Sequence, residues 1–123
     1  MKRVIVDTSS ILFGIESKKD ALEIAEEIGR VVLPKSAIIE LEKIAKGPGS
    51  KGTYAKTALG IIRQKRQIKI IASRGNVDSW ILKNASRLGA FVVTNDTALA
   101  RKLKIEGIRV FKLARSGKLR PLL

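Results

Sequence analysis

Three of the four aspartates in this chain stand where a parallel sheet could bring them together. Asp7 follows the unbroken apolar run at residues 4–6, Asp96 follows a similar strand pattern at residues 91–94, and Asp78 opens the helical pattern before it. An apolar run without alternation is typical of a strand buried on both faces of a parallel sheet. Carboxyl ends of parallel strands share one edge of the sheet. If the first and fourth strands are neighbours, Asp7 and Asp96 should therefore meet there, with Asp78 reaching the same edge.

A cluster of carboxylates has an energetic consequence. Two like charges about 4 Å apart repel by roughly 4 kcal/mol at an effective dielectric constant of about 20. Such a cluster must bind protons or a cation. The chain contains no cysteine and no histidine, which removes thiolate and imidazole ligands as well as catalysis by either group. A hard divalent cation with oxygen ligands, Mg²⁺ or Mn²⁺, is therefore the expected cofactor.

Most of the aspartates also have an ordinary structural interpretation. Aspartate is a common N-cap residue, so Asp78 and Asp96 could each serve only to start a helix. Asp20 is well explained in this way, because a helical pattern follows it directly. A strand end needs no acid, so Asp7 is harder to explain as a structural residue.

The charge balance of the chain indicates a polyanionic partner. Lysine and arginine number 25 against 11 acidic residues, giving a net charge of +14. A heat-adapted surface is the alternative, but such surfaces balance lysine with glutamate, and this chain does not. An acidic metal site in a basic protein suits phosphodiester hydrolysis, because basic side chains hold the backbone while the metal activates water and offsets charge.

The elements that must position these residues alternate along the chain. Strand patterns separated by helical patterns occur at residues 4–6, 31–33, 68–71, 91–94 and 109–113. This alternation predicts one parallel sheet with helices on both faces. A length of 123 residues fits one domain of ~100–200 residues, so we expect a single domain over residues 1–123.

A basic, glycine-rich stretch at residues 46–52 interrupts the helical patterns. We expect a mobile loop there, with Thr53 capping the next helix. The stretch lacks the spacing GxxxxGK(S/T), which argues against a phosphate-binding P-loop. The cations expected to contact nucleic acid, from this stretch, the helices and the basic tail, are Lys46, Lys51, Lys56, Arg101, Arg115 and Lys118.

Targeting and membrane signals are not visible in the sequence. No stretch approaches the ~20 apolar residues of a membrane span. The apolar run after the basic first residues is too short for a signal peptide, and an acid follows it. We therefore expect a cytoplasmic protein without a membrane partner.

Four motifs in this order resemble those of the PIN-domain family of metal-dependent nucleases, in particular archaeal ribonucleases similar to ribosomal-RNA-processing enzymes and VapC-type toxins. The motifs are VIVDTS from residue 4, IELE from residue 39, VDSWIL from residue 77 and VTNDT from residue 93. The resemblance covers nearly the whole chain.

The resemblance implies roles for eight residues. The implied catalytic and metal-binding acids are Asp7, Glu40, Asp78 and Asp96, and the implied supporting polar residues are Thr8, Ser9, Thr94 and Asn95. Glu40 is assigned by the resemblance alone, since helical geometry does not separate it from Glu42. The family often has asparagine where this chain has Ser9, which could orient a ligand or water but with a shorter reach.

The resemblance also implies a fold, an activity and partners. The fold would be a three-layer α/β/α sandwich around a central, mainly parallel sheet of five strands, with the first strand in the middle. The activity would be that of a Mg²⁺- or Mn²⁺-dependent endoribonuclease leaving 5′-phosphate and 3′-hydroxyl ends. RNA would be the substrate, with an antitoxin protein or a ribosomal precursor particle as a further partner. A homodimer is the implied assembly, with Ile39 and Trp80 as candidate interface residues.

Two other functions remain open from the sequence. A catalytically weak or silent RNA-binding module would bind RNA with a steep salt dependence but without cleavage, and the departure at Ser9 leaves room for it. A phosphoacceptor receiver domain also places acids at the ends of parallel strands. It should have an acid after the third strand, however, where this chain reads IIAS from residue 70.

Overall fold

A computed structural model describes residues 2–122 and shows helices on both faces of one mixed sheet. The strands are β1 (Arg3–Val6), β2 (Arg30–Pro34), β3 (Lys69–Ile71), β4 (Phe91–Val93), β5 (Val110–Leu113) and β6 (Leu119–Pro121). The helices are α1 (Thr8–Glu16), α2 (Ala21–Ala25), α3 (Lys35–Ala45), α4 (Gly49–Gln64), α5 (Val77–Leu88) and α6 (Thr97–Ile105).

The sheet has the strand order β3-β2-β1-β4-β5-β6, so β1 lies between β2 and β4. The predicted three-layer fold with a mainly parallel sheet and an inner first strand is confirmed. The predicted count of five strands is wrong, because β6 pairs antiparallel with β5 as a sixth strand. A three-residue strand is too short to show a hydrophobic period in the sequence. The turn before it could be anticipated from Gly117, which has φ 92° in the structure. The predicted domain also includes residues 1 and 123, which lie outside the described residues.

The first strand supplies both hydrophobic layers of the core. Val4, Ile5 and Val6 are fully buried. Val4 and Val6 belong to the cluster built mainly with α1, α2 and α4, whereas Ile5 belongs to the cluster built with α5 and α6. Successive side chains of a strand point to opposite faces, so a run without polar residues is what a strand covered on both faces requires. No helix within residues 2–122 is both long and apolar enough to cross a membrane.

The glycine-rich stretch forms a tight helix–helix turn. The prediction of a mobile loop capped by Thr53 is wrong for residues 49–52, because α4 already begins at Gly49. Gly49 has φ 79°, in the left-handed region that favours glycine, which lets the chain reverse directly into the helix. At Gly52 a Cβ atom would collide with the carbonyl oxygen of Gly47. These two glycines therefore allow α3 and α4 to join closely.

The pairing of β1 with β4 places the first and last motifs side by side. The two strands are parallel, with Val6 opposite Val93. The backbone N–H of Asp7 continues the ladder by donating to the Val93 carbonyl oxygen at 2.8 Å. The first and fourth strands are therefore neighbours, and the residues that follow them emerge at one edge of the sheet.

Candidate active site

One cleft of about 410 Å³ at the carboxyl edge of the sheet is lined by all four predicted acids, Asp7, Glu40, Asp78 and Asp96. Asp7 lies at the end of β1, Glu40 lies on α3, Asp78 lies in the first turn of α5, and Asp96 is the N-cap of α6. The fold therefore brings together carboxylates from four separate elements.

Asp7 is the most enclosed of these acids, with 4% of its surface exposed. Ser9 Oγ donates to its Oδ2 at 2.7 Å, and Thr94 Oγ1 donates to the same oxygen at 2.8 Å. No side-chain donor within residues 2–122 binds the other oxygen, Oδ1. Burial raises the pKa of Asp7 and the charge of Glu40 adds to this rise, although the hydrogen bonds oppose it. Asp7 is thus a fixed carboxylate whose charge is only partly compensated.

Thr94 connects two of the acids. It is 1% exposed, donates to Asp7 and accepts a hydrogen bond from the backbone N–H of Asp96 at 3.0 Å. Asp96 Oδ1 in turn accepts from the backbone N–H of Leu99 at 3.1 Å, which caps α6. The structural interpretation of Asp96 as an N-cap is therefore correct, and the same residue also lines the acidic cleft.

Asp78 does not cap its helix. The cap of α5 is Asn76, whose Oδ1 accepts from the backbone N–H of Ser79 at 3.0 Å. Partial burial raises the pKa of Asp78, the carboxylates of Asp7, Asp96 and Glu40 raise it further, and Lys102 lowers it. Asp78 therefore experiences the charges of all three other acids.

The structure separates the two glutamates of α3. Glu40 lines the acidic cleft, whereas Glu42 lines a groove of about 540 Å³ between α3 and α4. Residues two apart on a helix differ by about 200° in direction, so only one of them can face a given site. The position of Glu40 agrees with the assignment that the resemblance implied.

The polar residues behind the cleft form a network that includes one residue missed by the sequence analysis. Ser10 is fully buried, and its Oγ donates to Asn95 Oδ1 at 2.6 Å. Asn95 Nδ2 donates to the Leu113 carbonyl oxygen at 3.0 Å, and the Leu113 N–H donates back to Asn95 Oδ1 at 3.3 Å. The network fixes the loop before α6 to both α1 and β5. The sequence does not distinguish Ser10, because it is one of three successive hydroxyl residues at the start of α1 and its partner lies 85 residues away.

Ser9 supports the site directly. Besides donating to Asp7, its Oγ accepts from the backbone N–H of Asn95 at 3.1 Å. The shorter side chain therefore still reaches the first acid, because α1 brings the residue beside the end of β4.

The donor set of the cleft fits a hard divalent cation. Four carboxylates line it, and Thr8 Oγ1, which is buried at its wall, lacks a hydrogen-bond partner within residues 2–122. In the same range no three acidic side chains are close enough to hold a metal ion in common. Glu40, Asp78 and Asp96 are only half-buried. Oxygen donors alone suit Mg²⁺ or Mn²⁺.

The six cations predicted to bind nucleic acid are all exposed. The structure distributes them over several surfaces. Lys51 lines the acidic cleft, whereas Lys46 and Lys56 line the α3–α4 groove. Arg115 lies over the Phe13 ring, Arg101 lies on α6, and Lys118 lies in the β5–β6 turn. Only Lys51 adjoins the four acids. Lys102, which was not among the predicted cations, lowers the pKa of Asp78.

Replacing Asp78 with Asn is expected to raise the thermal stability of the metal-free protein at neutral pH. The raised pKa of Asp78 means that its ionisation is less favourable in the folded protein than in the unfolded chain. This cost is absent below the ordinary pKa of 3.8 and complete above the raised value. The advantage of Asp78→Asn over wild type should therefore shrink as the pH is lowered to about 4. Thermal unfolding in EDTA over this pH range measures it.

The control for this prediction is Glu42→Gln, which removes the same charge from the surface outside the cleft. The dipole of α5 favours a carboxylate in its first turn by about 0.3–1 kcal/mol, which opposes the predicted gain. The raised pKa of Asp78 indicates that burial and the three neighbouring carboxylates outweigh this contribution. An Asp78→Asn protein that melts below Glu42→Gln at neutral pH in EDTA would contradict the prediction.

Comparison with known proteins identifies the family. The sequence model of a family described as "PIN like domain" matches residues 4–116. Ribonuclease VapC9 of Archaeoglobus fulgidus is 28% identical over 109 residues, covering 86% of this chain and 78% of the relative. The PIN domain endonuclease Utp24 has the same fold, with a TM-score of 0.76 at 24% identity over 97% of this chain and 90% of that one. A domain of a functionally unknown protein from Methanocaldococcus jannaschii superposes with a TM-score of 0.67 at 21% identity, covering 93% of this chain and 92% of that one. Because the family match spans almost the entire sequence, this chain belongs to the PIN-like domain family.

Proposed function

We propose that this protein is an endoribonuclease that depends on Mg²⁺ or Mn²⁺. The observation that carries the proposal is the single cleft lined by four carboxylates in a protein of net charge +14. Like charges repel, and among the acids of the cleft helix capping explains only Asp96, so capping does not account for three of the four aspartates lining one cleft. The name of the relative VapC9, a ribonuclease, supports RNA as the substrate.

In the proposed reaction each group in the cleft has a defined task. Asp7, Glu40, Asp78 and Asp96 would hold the metal. When bound, the metal activates a water molecule for attack and offsets charge on the phosphate. Ser9 and Thr94 hold Asp7 in one orientation, which is how outer hydrogen bonds tune a metal ligand. Lys51 at the edge of the cleft would attract the RNA backbone.

The predicted partners and assembly stay predictions. An antitoxin protein or a ribosomal precursor particle would bind outside the cleft, and a homodimer would need an exposed apolar surface. Ile39 is 41% exposed and supports such an interface. Trp80 packs against the cluster built with α5 and α6, which favours a role in the core.

Removal of the metal is expected to abolish RNA cleavage. Purified protein is incubated with end-labelled single-stranded and structured RNA in Mn²⁺, in Mg²⁺ and in EDTA. Cleavage should occur with either metal, fall to background in EDTA and return when excess metal is added. The products should carry 5′-phosphate and 3′-hydroxyl ends, because a water molecule and not the ribose 2′-hydroxyl attacks the phosphorus.

The product ends separate this activity from contamination. Cleavage that persists in EDTA and leaves cyclic phosphates comes from a metal-independent ribonuclease that uses the 2′-hydroxyl. If the purified protein produces no other cleavage with Mn²⁺ or Mg²⁺, the proposal is contradicted. Tight, salt-sensitive RNA binding without cleavage in any divalent metal would instead favour the silent RNA-binding module.

A further inference from the structure

A second cavity adjoins the acidic cleft. It has a volume of about 430 Å³, and its walls include Leu12, Phe13 and Tyr54 together with Ser9 and Lys51. Ser9, Leu12 and Lys51 also line the acidic cleft, so the two cavities form one continuous surface. We call this second cavity the aromatic pocket.

The aromatic pocket is lined by two aromatic side chains, Tyr54 and Phe13. Tyr54 is the only tyrosine of the chain, and Phe13 is one of three phenylalanines. Both are half-buried. The other two phenylalanines, Phe91 and Phe111, pack edge to face with each other, with their ring centroids 5.7 Å apart. Tyr54, on α4, and Phe13, on α1, line the pocket that adjoins the acids, whereas Trp80 packs against the cluster built with α5 and α6.

A basic surface continues from the far side of Phe13. A third cavity of about 380 Å³ is lined by Phe13 and by Lys112, Arg115 and Arg120 of the β5–β6 hairpin. The Arg115 guanidinium carbon lies 5.3 Å from the centroid of the Phe13 ring. Within residues 2–122 only Lys65 forms ion pairs, so these cations are not neutralised by carboxylates. The surface thus runs from the acids of the cleft, past the aromatic pocket, which Glu16 also lines, to the cations of the hairpin.

This order of groups matches the parts of a nucleic-acid strand. Aromatic rings stack on bases, and cations hold the phosphates between them. Bases of an RNA duplex are already stacked on one another, so only an unpaired base can enter such a pocket. The volume of the aromatic pocket falls within the ~300–1,000 Å³ range of small-ligand sites.

We propose that the aromatic pocket binds one unpaired nucleobase of an RNA strand whose scissile phosphate lies in the acidic cleft. The β5–β6 hairpin then holds phosphates beyond that base. The inference rests on the proposed endoribonuclease function and adds to it a base-binding site beside the acidic cleft. Tyr54 and Phe13 supply the stacking surface, which accepts any of the four bases because every base has a π face.

The first test deletes bases from the RNA. Single-turnover cleavage by wild-type protein is measured on a series of RNAs in which one base at a time is replaced by an abasic ribose. Deletion at one position next to the cleavage site should slow the reaction by about 5- to 100-fold, the effect of losing one stacked base. Equal tolerance of deletions at every position would overturn the proposal.

Variants of Tyr54 connect this effect to the aromatic pocket. Tyr54→Leu should slow cleavage of the intact RNA by about the same factor but lose little further on the sensitive abasic RNA. Tyr54→Phe keeps the ring and should therefore keep the difference between the cleavage rates of intact and abasic RNA. Phe91→Leu, which removes a ring away from the cleft, is the matched control and should leave both rates unchanged. An equal loss for Tyr54→Leu on intact and abasic RNA would contradict the proposal.

Binding in EDTA distinguishes failure of this inference from failure of the proposed function. Fluorescence anisotropy measures the affinity of each variant for labelled intact RNA and for its abasic counterpart, which carries the same charge. If no metal supports cleavage but Tyr54→Leu weakens binding of the intact RNA selectively, the nuclease proposal fails and the base pocket stands. If the protein cleaves RNA but neither rate nor affinity depends on any base, the pocket proposal fails and the nuclease stands.

Discussion

Replacing Asp7 with Asn is expected to reduce the rate of RNA cleavage by a factor of about one thousand or more. Asp7 is the acid whose Oδ2 is held in place by two hydroxyls, those of Ser9 and Thr94, and it would be a ligand of the proposed metal. Loss of one charge about 4 Å from a cation costs roughly 4 kcal/mol at an effective dielectric constant of about 20. A loss of this size in transition-state stabilisation corresponds to about a thousandfold in rate. Single-turnover cleavage in saturating Mn²⁺ is the measurement.

The fold of Asp7→Asn should remain intact. Burial raises the pKa of Asp7, so the neutral amide removes a charge that the buried position disfavours. In EDTA at neutral pH the variant should therefore melt at or above the temperature of wild type. Such trade-offs between stability and activity are common at active sites.

Asp20→Ala is the matched control, because Asp20 caps α2 and pairs with Lys65 at 3.4 Å, away from the cleft. Loss of this N-cap should cost about 0.5–2 kcal/mol of stability but leave cleavage unchanged. The two aspartate variants should thus move in opposite directions, one losing activity and the other losing stability. Cleavage that survives Asp7→Asn would remove Asp7 from the proposed site. Loss of cleavage in a folded Asp20→Ala protein would show that the effect of Asp7→Asn is not specific to the cleft.

Replacing Thr94 with Val should damage both stability and activity. Valine has nearly the same shape but removes the hydrogen bond to Asp7 and leaves the buried N–H of Asp96 without its acceptor. The loss of a bond to a charged group and the unsatisfied N–H together should cost roughly 2–4 kcal/mol. Cleavage should fall by about 10- to 100-fold, the usual effect of removing a residue that orients a metal ligand.

Thr94→Ser tests whether the hydroxyl is responsible. Serine keeps the donor and acceptor and loses only a methyl group, at a cost of about 1 kcal/mol, so most of the activity should return. A residue that positions a metal ligand should also change the metal dependence, so Thr94→Val should require more Mn²⁺ for half-maximal cleavage. Urea unfolding in EDTA and cleavage over a Mn²⁺ titration measure these effects. Equal behaviour of the Val and Ser variants would show that the Thr94 hydroxyl has no such role.

The architecture was predictable where local pattern decides structure. The strand at residues 4–6 was recognisable because a strand buried on both faces has no polar positions, and Asp20 was recognisable as a helix cap. The alternation of strands and helices then requires a parallel sheet, which brings Asp7 and Asp96 to a common edge once β1 and β4 pair. Each of these inferences depends on neighbours along the chain.

Two features escaped prediction because their sequence signals are weak. The strand β6 has three residues, too few for a hydrophobic period. Glycine usually destabilises a helix, so the start of α4 at Gly49 was not expected. In the first turn of α4 the backbone of Gly52 approaches the Gly47 carbonyl oxygen, just after α3, so closely that a Cβ atom would collide with it.

The amino-acid sequence alone determined that the chain forms an α/β sheet, that Asp7, Asp78 and Asp96 share one edge if the first and fourth strands pair, and that its charge suits a polyanionic partner. Only the tertiary structure decided that Glu40 and not Glu42 enters the acidic cleft, and that Thr94 joins Asp7 to Asp96. The same holds for the bond between Ser10 and Asn95 and for the meeting of Phe13 with Tyr54. The physical reason is that burial and helix capping act over a few residues, whereas the direction of a side chain into a shared site depends on how whole elements pack.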